Sequence, residues 1–454
     1  MSDLDQLALR CIWPGFPGHE PPDWVRRWLA EGLGGVVLFG RNVRDLEQVA
    51  SLSAALRAEQ PELLVATDEE GGDVTRLELA SGSSSPGNWA LGAVDDVEAT
   101  EAVARRLGSL CAAAGVNLDF APVADVNSNP RNPVIGVRSF GAEPDLVARH
   151  VAAFVRGLQA CGVAACAKHF PGHGDTEDDS HLSLPVAQGD LEAALVPFRA
   201  AVEAGVQSMM TAHIVVPGVD DVPATVSRKL LTDLLRGELG FDGLVVTDAL
   251  EMQGLAGSVG VEQGAVQALA AGADALCLGF ELGDEDVRAV CAAVVEAVRA
   301  GRLAEERLEE AAGRVESVAR WATGPRPLEV AGEVGLEAAR RAVQVDGDVR
   351  LNGPARVVEL LPEPNIAAGP HKHSLAKLLG ATPGGGRLVV VLRDAHRHEW
   401  ARSETERLLA ESPDAIVVET GLPLWRPAAA DAYVATNGAG RVNLEAATEA
   451  LRSV

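Results

Sequence analysis

Two short stretches of this sequence carry side chains spaced for proton transfer and group transfer. The denser is AKHFPGHGDTEDDSHLSLP, residues 167–185. Gly172 and Gly174 flank His173, and Pro171 cannot continue a helix, so the segment is expected to be a loop. Asp179 and His181 stand two residues apart. In extended backbone alternate side chains share one side, so the carboxylate can orient the imidazole and stabilise its charge. Such a pair moves protons near neutral pH. A solvated surface loop and a metal site are the other readings of the same residues. His169 and His173 are four apart, which brings ligands together on a helix, and Pro171–Gly172 breaks any helix there. Acid/base chemistry without a metal or cofactor is therefore the expectation.

The second stretch is GFDGLVVTDALEM, residues 240–252. Asp248 directly follows an apolar run. It could cap the next helix, or serve as a nucleophile toward an anomeric carbon, a task that needs a carboxylate beneath a sugar ring. Upstream, Asp68 lies in VATDEEGGDVTR, where Gly71–Gly72 predicts a turn that lets backbone approach a ligand. A carboxylate there can grip sugar hydroxyls through charge-assisted hydrogen bonds, with Arg76 and Arg138 as further donors.

Chemistry of this kind needs a scaffold that aims several segments at one point. Seven brief apolar runs alternate with amphipathic stretches: GVVLFG (35–40), LLVAT (63–67), VNLDFA (116–121), VAACA (163–167), QSMMTA (207–212), GLVVT (243–247) and ALCLG (275–279). Runs that are apolar on both faces suit strands of a covered parallel sheet. Between them, Leu191, Leu195, Phe198 and Val202 form one helical stripe behind Asp190 as N-cap. The expected fold is α/β, a (β/α)8-type barrel followed by a smaller α/β sandwich domain, although an eighth strand is not obvious. Catalytic groups of such barrels sit where strands end. Arg41 and Asn42, Asp68, Asp125, Lys168 and His169, His213 and Asp248 all occupy such places. The predicted division is a barrel over 1–322, a linker over 323–335 around GPRPLEVAG, and a C-terminal domain over 336–454 with strands in ARVVEL, GRLVVVLR, DAIVVE and DAYVAT.

Composition narrows the partners. The chain has 454 residues and a formal charge of −26, from 65 acidic against 39 basic side chains. A surface so acidic repels phosphate backbones and anionic lipids, which argues against nucleic acid and membrane partners and for a small-molecule ligand. No run reaches the 18 or so apolar residues of a membrane span, and MSDLDQLALR does not read as a secretory leader. The six cysteines are scattered without metal-like pairs, which suits free thiols in a reducing cytoplasm.

KHFPGHGDTEDDSH, FDGLVVTDALEM, DEEGGDVTR, NPVIGVRSFG, TAHIVVP and PATVS together resemble, in order and spacing, the bacterial β-N-acetylglucosaminidases of glycoside hydrolase family 3. The resemblance spans residues 30–325 and extends more weakly over the tail. It implies a retaining hydrolase that removes terminal β-linked N-acetylglucosamine. Asp248 would form the glycosyl-enzyme, and His181 would be the acid/base, partnered by Asp179. Asp68, Arg76, Arg138, Lys168 and His169 match positions that bind the sugar. The chain departs at Asp73, where many members carry a basic residue. Rival readings are a β-N-acetylglucosaminide phosphorylase, a metal-dependent hydrolase on the loop histidines, and a non-catalytic sugar-binding protein.

Overall fold

A computed structural model describes residues 2–322, 333–364, 366–369, 373–384 and 386–452. The barrel strands are β1 (Ile12–Pro14), β2 (Gly35–Val37), β3 (Leu64–Thr67), β4 (Leu118–Asp119), β5 (Ala164–Phe170), β6 (Ser208–Thr211), β7 (Leu244–Val246) and β8 (Leu276–Leu278). Strands β2 to β7 form one parallel sheet in chain order. The strand not obvious in the sequence is β1, which pairs in parallel with β8 from Ile12–Leu276 to Pro14–Leu278. A bridge from Val246 to Ala275 joins β7 to the segment entering β8, and Gly34 N donates to Leu9 O at 3.3 Å between the β1 and β2 sides. The ring of eight is thus connected around its circumference.

Side-chain parity within these strands decides what reaches the mouth. Trp13, Val37, Leu64, Ala66, Leu118, Ala164, Cys166, Met210, Leu244, Val246 and Cys277 form the barrel interior. Their neighbours Ile12, Val36, Val65, Ala165, Met209, Val245 and Leu276 belong instead to the core shared with the surrounding helices. Both faces are apolar, which is why the strands read as unbroken hydrophobic runs. Alternation continues past the strand ends, so Val37 predicts an inward Phe39, Ala66 an inward Asp68 and Glu70, and Leu118 an inward Phe120. Lys168 follows Cys166, and Asp248 follows Val246, in the same way.

Helices cover the barrel as the periodicity requires. The helix Leu191–Glu203 starts at Asp190, whose side chain accepts from Glu192 N, and it buries Leu195 and Phe198. Leu191 and Val202 pack partly buried against the same core.

The C-terminal domain holds a five-stranded sheet: β9 (Gln344–Asp346), β10 (Ala355–Leu360), β11 (Arg387–Leu392), β12 (Ile416–Glu419) and β13 (Ala432–Ala435), in the order β10-β11-β12-β13-β9. Among the described residues only β9 runs antiparallel. The segment read as a linker falls mostly outside the described residues, at 323–332, and a helix Val334–Ala342 begins before its expected end.

Candidate active site

The strand ends converge on a cavity of about 280 Å³. Lys168 lies at its floor, with Nζ 2.7 Å from Asp68 Oδ1 and 2.7 Å from Glu70 Oε1. Arg138 closes the group with a two-pronged pair to Glu70, at 2.9 Å from Nε and 2.8 Å from Nη2. Arg76 Nη2 approaches Asp68 at 3.8 Å and donates to Ala367 O at 3.0 Å. Burial alone would raise both carboxyls and lower the lysine. The neighbouring opposite charges win, so Asp68 and Glu70 are held below the usual range and Lys168 above it. The result is a preorganised set of charged donors and acceptors, all ionised at neutral pH.

Glu69, between the two inward carboxylates, points the other way. Its Oε2 accepts from Arg76 N and Leu77 N, its own N–H donates to Asp119 Oδ1, and burial pushes it up to about 7. It pins the turn that presents Arg76. The Gly71–Gly72 turn does not approach the cavity. Gly72 has φ +59°, and a Cβ on it would lie 2.5 Å from Gly87 Cα. Here the glycine serves packing of backbone on backbone.

Asp248 lines the cavity beside these groups, and its Oδ1 accepts from Ala249 N at 2.8 Å. Burial would raise its carboxyl, but His213, His169 and His181 hold it below the ordinary range. His213 does not line the cavity. It sits behind the Asp248 segment, hydrogen-bonded to Thr225 Oγ1 at 2.7 Å and Ala249 O at 3.0 Å. Asn42 is likewise structural, its side-chain amide donating to Phe16 O and Gly18 O.

Asp125 is a fully buried organiser rather than a wall residue. One oxygen lies 2.7 Å from His169 Nδ1, and the other accepts from His173 N at 2.7 Å. This fixes the His169 ring, which lines the cavity, and anchors the loop that follows. His173 has both ring nitrogens engaged, by Thr176 Oγ1 at 2.7 Å and Ser180 Oγ at 3.1 Å, and burial pushes it down to about 4. Neutral and fully hydrogen-bonded, it is a strut for the loop. Gly174 packs so closely that a Cβ would fall 2.0 Å from Val126 O.

The strut delivers the dyad. His181 Nδ1 lies 2.7 Å from Asp179 Oδ1, which also accepts from His181 N at 3.0 Å. Burial would lower the imidazole pKa, but the Asp179 hydrogen bond and charge, with Asp248 behind them, raise it. Asp179 is lowered correspondingly, His181 being its main partner. His181 lines the same cavity as Asp248, while Asp179 stands behind it. The arrangement can therefore protonate a leaving group over a buried carboxylate.

The residues given sugar-binding or acid/base roles from sequence meet here: Asp68, Arg76, Arg138, Lys168, His169, His181 and Asp248 line the cavity, and Asp179 holds His181, whereas Arg41, Asn42, Asp125 and His213 do not line it. Sequence reasoning missed Glu70, which strand parity could have found. It also missed Glu251, whose Oε2 accepts from Gly279 N at 2.8 Å and whose carboxyl burial pushes up. Ile366 and Ala367 of the C-terminal domain complete the wall. No local signal in the tail marks them.

Residues 6–318 match the glycosyl hydrolase family 3 N-terminal domain. The chain belongs to glycosyl hydrolase family 3. Among similar proteins, β-hexosaminidase A of Pseudoalteromonas piscicida is 34% identical over 386 residues, 75% of this chain, and this chain spans 64% of that relative's length. A β-hexosaminidase of Pseudomonas aeruginosa is 37% identical over 69% of this chain and 92% of its own. A solved family 3 β-N-acetylglucosaminidase from Paenibacillus superposes with a TM-score of 0.87 at 33% identity, covering 99% of this chain and 97% of its own. The β-N-acetylhexosaminidase of Beutenbergia cavernae gives a TM-score of 0.65 at 31% identity, with 70% of this family 3 chain covered by 99% of that one.

Asp73 lies away from the cavity. Its two oxygens are taken by Arg393 Nη2 at 2.5 Å and Ala439 N at 2.8 Å, both in the C-terminal domain. Burial would lower the Arg393 guanidinium pKa, but Asp73 and other carboxylates raise it. The acidic residue is an anchor between domains. His396 Nε2 reaches Pro130 O at 2.7 Å, and Arg397 Nη1 reaches Asn132 O at 3.2 Å. Asn132 in turn donates to His173 O at 2.8 Å, so the second domain also braces the dyad loop.

Proposed function

We propose that this protein is a retaining β-N-acetylhexosaminidase that removes terminal β-linked N-acetylglucosamine. The observation that carries the reading is the Asp179–His181 dyad facing a cavity that also holds the buried, ionised Asp248. In the first step His181 protonates the glycosidic oxygen while Asp248 attacks the anomeric carbon, giving a glycosyl-enzyme. In the second, His181 deprotonates water, which displaces Asp248 and restores the original configuration. Asp68, Arg76, Arg138, Lys168 and His169 hold the sugar, and the ion pairs among them and with Glu70 and Asp125 preset that grip before substrate arrives. The buried free thiols fit a reducing cytoplasm as the place of action.

Water rather than phosphate is the acceptor in this reading. Among the described residues, the three permanent cations of the cavity are already engaged by Asp68 and Glu70. A phosphate dianion would meet Asp248 and Glu251 with no free cation, and like charges in a partly desolvated site repel strongly. Following a β-N-acetylglucosaminide by NMR should reveal β-N-acetylglucosamine as the first-formed product, at a rate independent of millimolar phosphate. N-acetylglucosamine 1-phosphate as main product, formed faster as phosphate is raised, would overturn hydrolysis.

Metal dependence is not expected, because both His173 nitrogens are committed to hydroxyls and His169 Nδ1 to Asp125. Exhaustive chelation should leave the rate within experimental error of the untreated protein. Loss that zinc restores would favour a metal-dependent hydrolase instead.

A further inference from the structure

Five carboxylates line the cavity: Asp68, Glu70, Asp248, Glu251 and Glu281. Asp68 is neutralised by Lys168 and Arg76, and Glu70 by Lys168 and Arg138. Asp248 gives up its charge when it becomes the ester of the glycosyl-enzyme. Among the described residues neither Glu251 nor Glu281 forms an ion pair, and the charges that act most on Glu251, those of Asp248 and Glu281, are both negative. Arg41, which borders Phe280, donates to the Phe280 carbonyl and does not line the cavity. Once the sugar is bound to Asp248, two uncompensated carboxylates therefore remain.

Their settings differ. Glu281 is exposed, so water screens it. Glu251 is half-buried and held in place: its Oε2 accepts from Gly279 N at 2.8 Å. Gly279 makes the seat by lacking a side chain, since a Cβ there would collide with Glu251 Oε1. A fixed charge in a partly desolvated wall acts over a longer range than one in water.

The place of this charge follows from the loop that leaves β7. The loop begins at Asp248, carries Glu251, and reaches the dyad segment, where Gly254 N donates to Ser180 O at 3.1 Å. Glu251 thus stands on the wall that joins the nucleophile to the acid/base. His181 contributes no charge at this stage, because it has passed its proton to the leaving group.

We propose that Glu251 selects the acceptor of the second step: its uncompensated charge turns anions away from the glycosyl-enzyme and leaves neutral acceptors free to enter. With water, oxygen bonds to the anomeric carbon, the proton goes to His181, and the electron pair of the breaking bond returns to Asp248. An anion would need no base, so its exclusion has to come from the wall itself. Like charges brought together in such a wall repel strongly. The inference rests on the glycosyl-enzyme reading above and assigns its acceptor preference to one residue.

The test reads how the glycosyl-enzyme divides between acceptors. A 4-nitrophenyl β-N-acetylglucosaminide supplies the intermediate, with azide as anionic acceptor and methanol as neutral one. Product ratios do not depend on how much of a variant is active. Glu251→Gln keeps the shape, and its amide oxygen can still accept from Gly279 N. In this variant β-glycosyl azide relative to free sugar should rise roughly tenfold or more over the parent, while methyl β-glycoside relative to free sugar stays within about twofold. Glu251→Asn should behave in the same way, and Glu251→Asp, which keeps a charge, should stay near the parent. No rise with azide, or an equal rise with methanol, overturns the assignment to Glu251 alone. So does loss of turnover in both neutral variants with the fold retained, since Glu251 would then be needed for the chemistry itself. An α-configured methyl glycoside from the parent overturns the retaining reading and this inference with it.

Discussion

Replacing Asp248 by alanine is expected to remove turnover by roughly five orders of magnitude, the scale seen when a covalent nucleophile is deleted. The carboxylate has one backbone hydrogen bond, from Ala249 N, so its loss disturbs little of the surrounding structure. The folded variant should retain its thermal transition. It leaves a space at the face of the sugar that a small anion can enter. With a substrate carrying a good leaving group, azide should restore part of the rate and give the α-glycosyl azide, inverted because only one displacement occurs. Unchanged turnover in a folded variant would remove Asp248 from the mechanism.

The dyad gives the second large effect. His181→Ala is expected to lose about 10²- to 10⁴-fold on substrates with poor leaving groups, the range general acid catalysis supplies. Leaving groups that depart without a proton should still glycosylate Asp248, after which the intermediate breaks down slowly for want of a base. A burst of aglycone followed by a slow steady state is the signature. Equal losses on good and poor leaving groups would show that His181 is not the acid. Asp179→Asn tests the partner with little change of shape, because an amide oxygen can still accept from His181 N, now 3.0 Å from the carboxylate. The charge is gone, however, and burial then dominates the imidazole. Asp179 raises the His181 pKa in the intact protein, so activity needing protonated His181 persists into higher pH. Without it the alkaline limb of the pH profile should move to lower pH, and kcat should fall. An unmoved alkaline limb would mean that Asp179 does not set the charge of His181.

Much of this architecture is legible in the sequence because barrel strands are apolar on both faces, and seven of the eight stand out as short runs. The missing one, Ile12–Pro14, is three residues long, ends in proline and follows directly on a helix. Its only ladder partner among the described residues is β8, far along the chain, so no local pattern betrays it. The edge strand Gln344–Asp346 escapes for the opposite reason: all three residues are exposed. The catalytic candidates were readable because charged groups placed straight after apolar runs are rare without a purpose. That logic overreached at Asn42 and His213, which satisfy backbone groups behind the mouth instead. It fell short at Glu70, hidden in a run of three consecutive acids whose alternate members face opposite ways. Ile366 and Ala367 could not be found from sequence at all, since they reach the cavity through packing of one domain on the other.

The Asp73–Arg393 contact ties two positions 320 residues apart into one unit of inheritance. Both side chains are at least nine-tenths buried, so replacing either alone strands its partner's charge, at about 3–5 kcal/mol. Descendants of this chain can change the pair together but not singly. A basic residue at position 73 would here face Arg393 across the same gap. The barrel is consequently not a free module: exchanging tails between relatives would require the graft to bring a matching residue for position 73, along with an acceptor carbonyl for Arg76. Sequence families in which the two halves evolve as independent cassettes should lack this pair, and those that carry it should show the two halves sharing one ancestry.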